Sequence, residues 1–194
     1  MRQMRREVAS ARLKRRRTIM NVTVRQAEPN EYEKVRGFYY KLIDDMQSSE
    51  YHPKWQKGVY PDDEYLRTSV EAGEMYLAET EGEIAGAMIV NRSSNDGYDG
   101  VRWPNEAKMG EVSVIHALGV LPPYSRRGIA KQMVRAAENI ARDHGSRVIR
   151  LDVLVGNLPA DRLYRGLGFA FVERVSMYYK DTGWCDFDLF EYGL

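Results

Sequence analysis

Glu111-Val-Ser-Val-Ile-His-Ala-Leu-Gly-Val120, followed by Leu121-Pro-Pro-Tyr-Ser-Arg-Arg-Gly-Ile-Ala-Lys131, decides how this chain is read. The first ten residues are apolar and β-branched enough to predict a long strand. Pro122 and Pro123 stop further pairing, because neither can donate to a ladder. Arg126, Arg127, Gly128 and Ala130 then open a helix running to about His144, with Ile129, Met133, Ala136, Ala137 and Ile140 on one face. A helix N-terminus offers unpaired N–H groups and the positive end of its dipole, so this turn is an anion site. Gly128 and Ala130 lack bulk, which lets a phosphate approach the backbone. The arginines add attraction and bidentate contacts. Taken alone, Arg-Arg-Gly reads more simply as a helix start with solvated arginines. No Gly-x-Gly-x-x-Gly and no Gly-Lys-Ser/Thr is present, which argues against dinucleotide and nucleoside-triphosphate loops.

Downstream, Gly145 closes the helix. Val148–Val155 is nearly uninterrupted apolar sequence, as in a central strand covered on both faces. Asn157 caps another helix, Pro159 sits in its first turn, and Gly166 and Gly168 end it. Strands over Phe169–Lys180 and Trp184–Glu191 flank a turn at Asp181-Thr-Gly183. Upstream, Val22–Ala27 alternates as a strand, and Pro29 and Asn30 open a helix to about Met46. A connector over 47–60 holds His52, Pro53, Trp55, Gly58 and Tyr60, and Pro61-Asp-Asp-Glu starts a helix to about Ala72. Met75–Glu79 and Ile84–Val90 form a hairpin. The loop from Asn91 to Lys108 is long enough to suggest a functional role. The order β-α-α-β-β-β-α-β-α-β-β is a mixed α/β domain.

Charge divides the chain. Its 194 residues sum to +1, yet residues 1–20 hold eight basic side chains against one acidic, and residues 21–194 hold 21 against 27. The head fits a nucleic-acid arm, a targeting segment, or an extension outside the fold with Met20 as the working start. We take the last reading, with a single domain over 21–194, because folded patterning begins cleanly after Met20. The lone Cys185 excludes a disulfide framework within the chain. The longest uncharged run, Val112 to Ser125, is 14 residues and too short to span a bilayer. The expected setting is cytoplasmic, without membrane or nucleic-acid partners, and a homodimer stays open. No His, Cys and acidic set has metal-ligand spacing.

A second motif, Asn157, Ala160, Leu163, Tyr164, Gly168 and Phe169, follows the next strand. With it the chain resembles the GNAT superfamily of acyl-CoA N-acyltransferases. The family's pyrophosphate loop, Gln/Arg-x-x-Gly-x-Gly/Ala, stands here as Ser125-Arg-Arg-Gly128-Ile-Ala130, with Ser125 replacing the long first side chain. Asn-x-x-Ala-x-x-Leu-Tyr-x-x-x-Gly-Phe is matched from Asn157 to Phe169. The resemblance covers nearly everything after the basic head. It implies a mixed, mostly antiparallel twisted sheet of about seven strands flanked by about four helices.

The resemblance also implies roles. Acetyl-CoA would be the co-substrate, its phosphates on Arg126, Arg127, Gly128, Ile129, Ala130 and Lys131. Its pantetheine arm would run along Leu118, Gly119 and Val120, with Asn157 holding it. The Leu118 N–H would stabilise the developing oxyanion. Tyr164 would protonate the departing thiolate. Ile115-His-Ala-Leu-Gly-Val120 is similar to the arylalkylamine N-acetyltransferase segment in which a strand histidine relays the amine proton. His116 is therefore the candidate base, and an ordinary histidine pKa of about 6.5 suits that task. The second relay histidine of those enzymes stands here as Val114. Glu111 is a weaker candidate, and His144 complements a helix dipole.

Trp55, Tyr60, Trp103, Tyr178 and Trp184 are candidates for an aromatic acceptor pocket, with His52, Trp55 and Tyr60 foremost. The expected activity is acetyl transfer to a primary amine of a small molecule or amino acid by direct attack. A protein or peptide N-terminal acetyltransferase and a non-catalytic acyl-CoA sensor are the alternatives. A nucleic-acid binder using the head is the reading from a third class.

Overall fold

A computed structural model describes residues 21–47, 49 and 53–194, so the basic head and His52 lie outside the described residues. Strand β1 (Thr23–Gln26) leads through a 3-10 turn to helix α1 (Tyr32–Met46) and then α2 (Asp63–Glu71). The hairpin β2 (Met75–Thr80) and β3 (Glu83–Asn91) follows, then β4 (Val112–Val120) and α3 (Ile129–Asp143). β5 (Val148–Leu154), α4 (Leu158–Gly166), β6 (Ala170–Tyr179) and β7 (Gly183–Gly193) complete the chain. One seven-stranded sheet runs β1-β2-β3-β4-β5-β7-β6, antiparallel at every step except β4 with β5. The described residues thus form the mixed, mostly antiparallel seven-stranded sheet with four α-helices that the resemblance implied.

Local chemistry sets the helix starts. The Asp62 carboxylate accepts from Tyr65 N at 2.7 Å, so α2 begins at Asp63 rather than Pro61. Asn157 caps α4 through Ala160 N at 3.4 Å, with Pro159 in the first turn. α3 is capped differently. Its N-cap is Gly128 at φ 84, which makes no side-chain cap hydrogen bond among the described residues. The buried stripe of α3 is Ile129, Met133, Val134, Ala137 and Ala141, while Ala136 and Ile140 lie at its margin.

Each face of the sheet is covered. On one, α3 and α4 pack against Ile115, Ile149, Leu151 and Val153. On the other, Val35, Phe38, Tyr39 and Leu42 of α1 and Leu66 and Val70 of α2 pack on Leu77, Ala87 and Ile89. Full burial of a side chain such as Met133 or Leu42 contributes roughly 1.5–3 kcal/mol. A third cluster joins Tyr98 and Val114 to Met177, Phe187 and Leu189. It seats the 92–108 loop, which Arg150 pins down by reaching Glu191 at 2.8 Å beneath the Trp103 ring.

The sheet splits at its only parallel step. β4 and β5 pair at Val112↔Val148, Ser113↔Ile149 and Val114↔Arg150, and no further. β5 stays with β7 along its whole length. β4 stays with β3, but gains one residue between Ile89↔His116 and Ala87↔Gly119. That residue makes a bulge, with Ala117 at φ 49. Bulge and divergence together open a crevice at the middle of the sheet.

Candidate active site

The crevice is a cavity of about 820 Å³. Ile115 through Val120 form its β4 wall, and Asp152, Val153 and Leu154 its β5 wall. Ser125, Arg126, Gly128, Ile129, Ala130 and Lys131 line one end. Asn157, Pro159, Ala160, Leu163 and Tyr164 come from the start of α4 and the residue before it. Trp55, Tyr60, Tyr179, Asp181, Thr182 and Phe187 line the cavity from the connector and the last hairpin. Thus His116, Leu118, Gly119, Val120, Arg126, Gly128, Ile129, Ala130, Lys131, Asn157, Tyr164, Trp55 and Tyr60 share one wall system.

Other sequence candidates stand elsewhere. Arg127 is not on the wall; its guanidinium lies 6.0 Å from the Tyr124 ring centre. Glu111 faces the opposite end of β4, accepting from Lys108 N at 3.0 Å and approaching Arg147 at 4.0 Å. Trp103 is packed on Tyr98 and Arg150. Tyr178 and Trp184 are 54% and 72% exposed and pair with one another outside the cavity. Of the aromatic candidates Trp55 and Tyr60 line the cavity, joined by Tyr179 rather than Tyr178, since strand residues 178 and 179 point to opposite faces.

At the Arg126 end the chain offers backbone. Arg126 at φ 60 and Gly128 at φ 84 turn the loop so that the first N–H groups of α3 open outward. Lys131 adds a flexible positive charge. The edge of β4 beyond Val114 has no strand partner on the β5 side among the described residues, so an extended chain can pair with it. Tyr39, fully buried on α1, fixes the bulge by donating to Ala117 O at 2.9 Å. At Gly119 a β-carbon would collide with Leu42 and approach Trp55. Glycine is needed there for close helix–strand approach.

The other end is built from side chains. His116 Nε2 lies 2.9 Å from Ser93 O and 3.0 Å from Asn91 Oδ1. Asn91 Oδ1 also accepts from Ser93 N at 3.0 Å, while its Nδ2 donates to Glu74 at 3.1 Å. Both partners of Nε2 are therefore acceptors, so Nε2 carries the hydrogen and Nδ1 keeps its lone pair. Burial pushes the imidazole down to about 4, against the pull of the Ser93 carbonyl and the Glu74 charge. His116 is neutral at pH 7, and a weaker base than an ordinary histidine.

Tyr164 is buried against Phe169 and Phe190. Its hydroxyl has no hydrogen-bond partner among the described residues, and burial with the nearby Asp152 charge raises its pKa, so it keeps its proton. Asp152 was not among the sequence candidates. Its Oδ2 accepts from Tyr98 at 3.0 Å and Tyr179 at 2.9 Å. Burial pushes this carboxyl up and the two hydroxyls pull it down. The available signal was a carboxylate among the apolar residues of a central strand whose other charge, Arg150, is paired with Glu191.

A glycine-capped helix start, an unpaired strand edge, a neutral imidazole and a protonated phenol meet in one crevice. The acetyltransferase (GNAT) family pattern matches residues 40–169. An aminoglycoside N(6')-acetyltransferase type 1 of Salmonella typhimurium is 28% identical over 122 residues, 62% of this chain and 82% of that one. An N-alpha-acetyltransferase of Sulfurisphaera tokodaii is 30% identical over 108 residues, 55% of this chain and 62% of that one. Arabidopsis thaliana NAA60, solved in complex with acetyl-CoA, superposes with a TM-score of 0.63 at 20% identity, covering 90% of this chain and 99% of that one. The chain belongs to the acetyltransferase (GNAT) family and is an acyl-CoA-dependent acetyltransferase. No described helix is long and apolar enough to cross a membrane, and no described group of His, Cys, Asp and Glu can hold a metal ion.

Proposed function

We propose that the chain transfers an acetyl group from acetyl-CoA to a primary amine of a small molecule or amino acid by direct attack. The observation that carries this reading is the shared cavity of His116, Tyr164, the β4 edge and the α3 N-terminus. The donor set fits a pyrophosphate: uncapped N–H groups at Gly128–Lys131 with Arg126 and Lys131 beside them. Asn157 and the Leu118–Val120 edge would hold the pantetheine arm. When bound, acetyl-CoA supplies the acetyl group as an activated thioester. Leu118 N–H would face the thioester oxygen as negative charge grows there. His116 Nδ1 would take the proton lost by the attacking amine as the new C–N bond forms. Tyr164 would give its proton to the sulfur as the C–S bond breaks. Product release returns the proton from imidazole to solvent, and the phenol regains one.

A small acceptor is favoured over a protein N-terminus because the connector and the last hairpin are bridged beside the cavity. Gln56 Nε2 donates to Asp181 O at 2.8 Å, and the Tyr60 and Tyr179 rings meet at 5.8 Å. Those contacts tie the connector to the last hairpin across the crevice. The test is thiol release from acetyl-CoA by the full chain, with a panel of small amines beside peptides bearing free N-termini. Turnover with small amines is expected. Faster turnover with the peptides would overturn the small-acceptor reading, and silence across both panels would leave an acyl-CoA sensor.

A further inference from the structure

Among the described residues the buried carboxylates of the framework have cations. Glu31 meets Arg25 at 2.7 Å, Glu138 meets Arg135 at 2.7 Å, and Glu191 meets Arg150 at 2.8 Å. Asp152 has none. Its two hydrogen bonds both fall on Oδ2, leaving Oδ1 to the cavity that it lines. It is otherwise enclosed by protein. A carboxylate so placed is costly without a counter-charge. Asp181, on the same wall, is half-buried; its Oδ1 finds no hydrogen-bond partner among the described residues, and only backbone N–H groups of Asp181 and Thr182 favour its charged form. The cavity is therefore polarised. Arg126 and Lys131 stand at one end, and at the other stand two carboxyls with no cationic partner among the described residues.

Aromatic rings complete the acidic end. Tyr179, which donates to Asp152, meets Tyr60 at 5.8 Å, and Tyr60 meets Trp55 at 6.1 Å. Ring faces beside a buried carboxylate favour a cation over a neutral group. The sheet register adds direction. Counting on from Val114↔Arg150 sets His116 opposite Asp152 across the split, with both side chains on the same sheet face. A nitrogen held by Asp152 is stabilised in its charged form, which cannot attack a thioester. The attacking nitrogen must therefore be a different one, on the His116 side.

We propose that the acceptor is a primary amine carrying a second, cationic nitrogen, which Asp152 holds beside the rings of Trp55, Tyr60 and Tyr179. Paired strands lie about 4.8 Å apart, and these two have diverged, so about three or more carbons separate the nitrogens. This rests on the acetyltransferase reading above for catalysis, though not for binding of the dication itself.

The test compares 1,6-diaminohexane with 6-amino-1-hexanol and hexylamine, using the full chain and acetyl-CoA. The diamine is expected to show kcat/KM about 10- to 100-fold above both, the usual range for a lost charged hydrogen bond. In Asp152→Asn, which still accepts both tyrosine hydroxyls, that preference collapses, with retained thermal stabilisation by acetyl-CoA as the folding check. Equal wild-type rates for the three compounds, or a variant that slows all three alike, would overturn the proposal without need of any further variant. If no amine is turned over, calorimetric titration of 1,6-diaminohexane decides separately. Tighter binding to wild type than to Asp152→Asn upholds the cation site while the catalytic reading fails, and equal or absent binding removes both.

Discussion

The two ends of the cavity are made in different ways. The Arg126–Lys131 end relies on backbone: one left-handed loop, one glycine N-cap and the first turn of α3. The other end, the proposed acceptor site, relies on side chains brought together from distant segments: Trp55 and Tyr60 from the connector, His116 from β4, Asp152 from β5, and Tyr179 from β6. A backbone site tolerates substitution, because N–H groups persist whatever the side chain, so a short residue such as Ser125 at the loop's start suffices. A side-chain site does not. Each group depends on partners elsewhere, as His116 depends on Asn91 at the end of β3 and Ser93 just beyond it.

The largest effect should come from Tyr164→Phe, which keeps the ring packing and removes the proposed proton donor. Turnover is expected to fall about 10³-fold, while thermal stabilisation by acetyl-CoA survives. Loss of both together would mean that Tyr164 serves the fold rather than the reaction.

His116→Gln is expected to cost less, about 100-fold in kcat/KM for the amine, and it carries a distinct pH signature. The imidazole sits at about 4 in the fold against 6.5 when free. Between these values the unfolded chain binds the extra proton, so wild-type stability falls as pH drops from about 6.5 toward 4. His116→Gln should lose less stability over that window, read as melting temperature against pH. Wild-type activity should show no separate inflection near 6.5, because the imidazole is already neutral there. An inflection at that value, absent from the variant, would place His116 in a more open site.

What could be read from the sequence follows the same division. The strand, turn and helix from Glu111 to His144 and the Asn157 cap are local patterns, and they appear in the structure within a residue or two. Ala117 was invisible as a bulge, since alanine carries no mark for a left-handed φ. Trp103, Tyr178 and Trp184 are aromatic, yet residue type does not say which face a strand presents. Tyr178 is turned outward and Tyr179 inward by the register with β7, which the final hairpin fixes only once folded. The loop from Asn91 to Lys108 was conspicuous by length and composition. Its contribution, Asn91 and Ser93 on His116 and Tyr98 on Asp152, depends on contacts 23 to 54 residues away in sequence.

Calorimetric titration of acetyl-CoA into the wild type, Arg126→Ala and Ala130→Glu tests the account most directly. Glutamate in a helix's first turn favours the helix itself, so Ala130→Glu sets a negative charge at the anion site without weakening α3. We expect the wild type to bind, Arg126→Ala to bind within about threefold of it because the backbone does the holding, and Ala130→Glu to lose at least about tenfold. Undiminished binding by Ala130→Glu, or none by the wild type, would contradict the assignment of this cavity to an acyl-CoA.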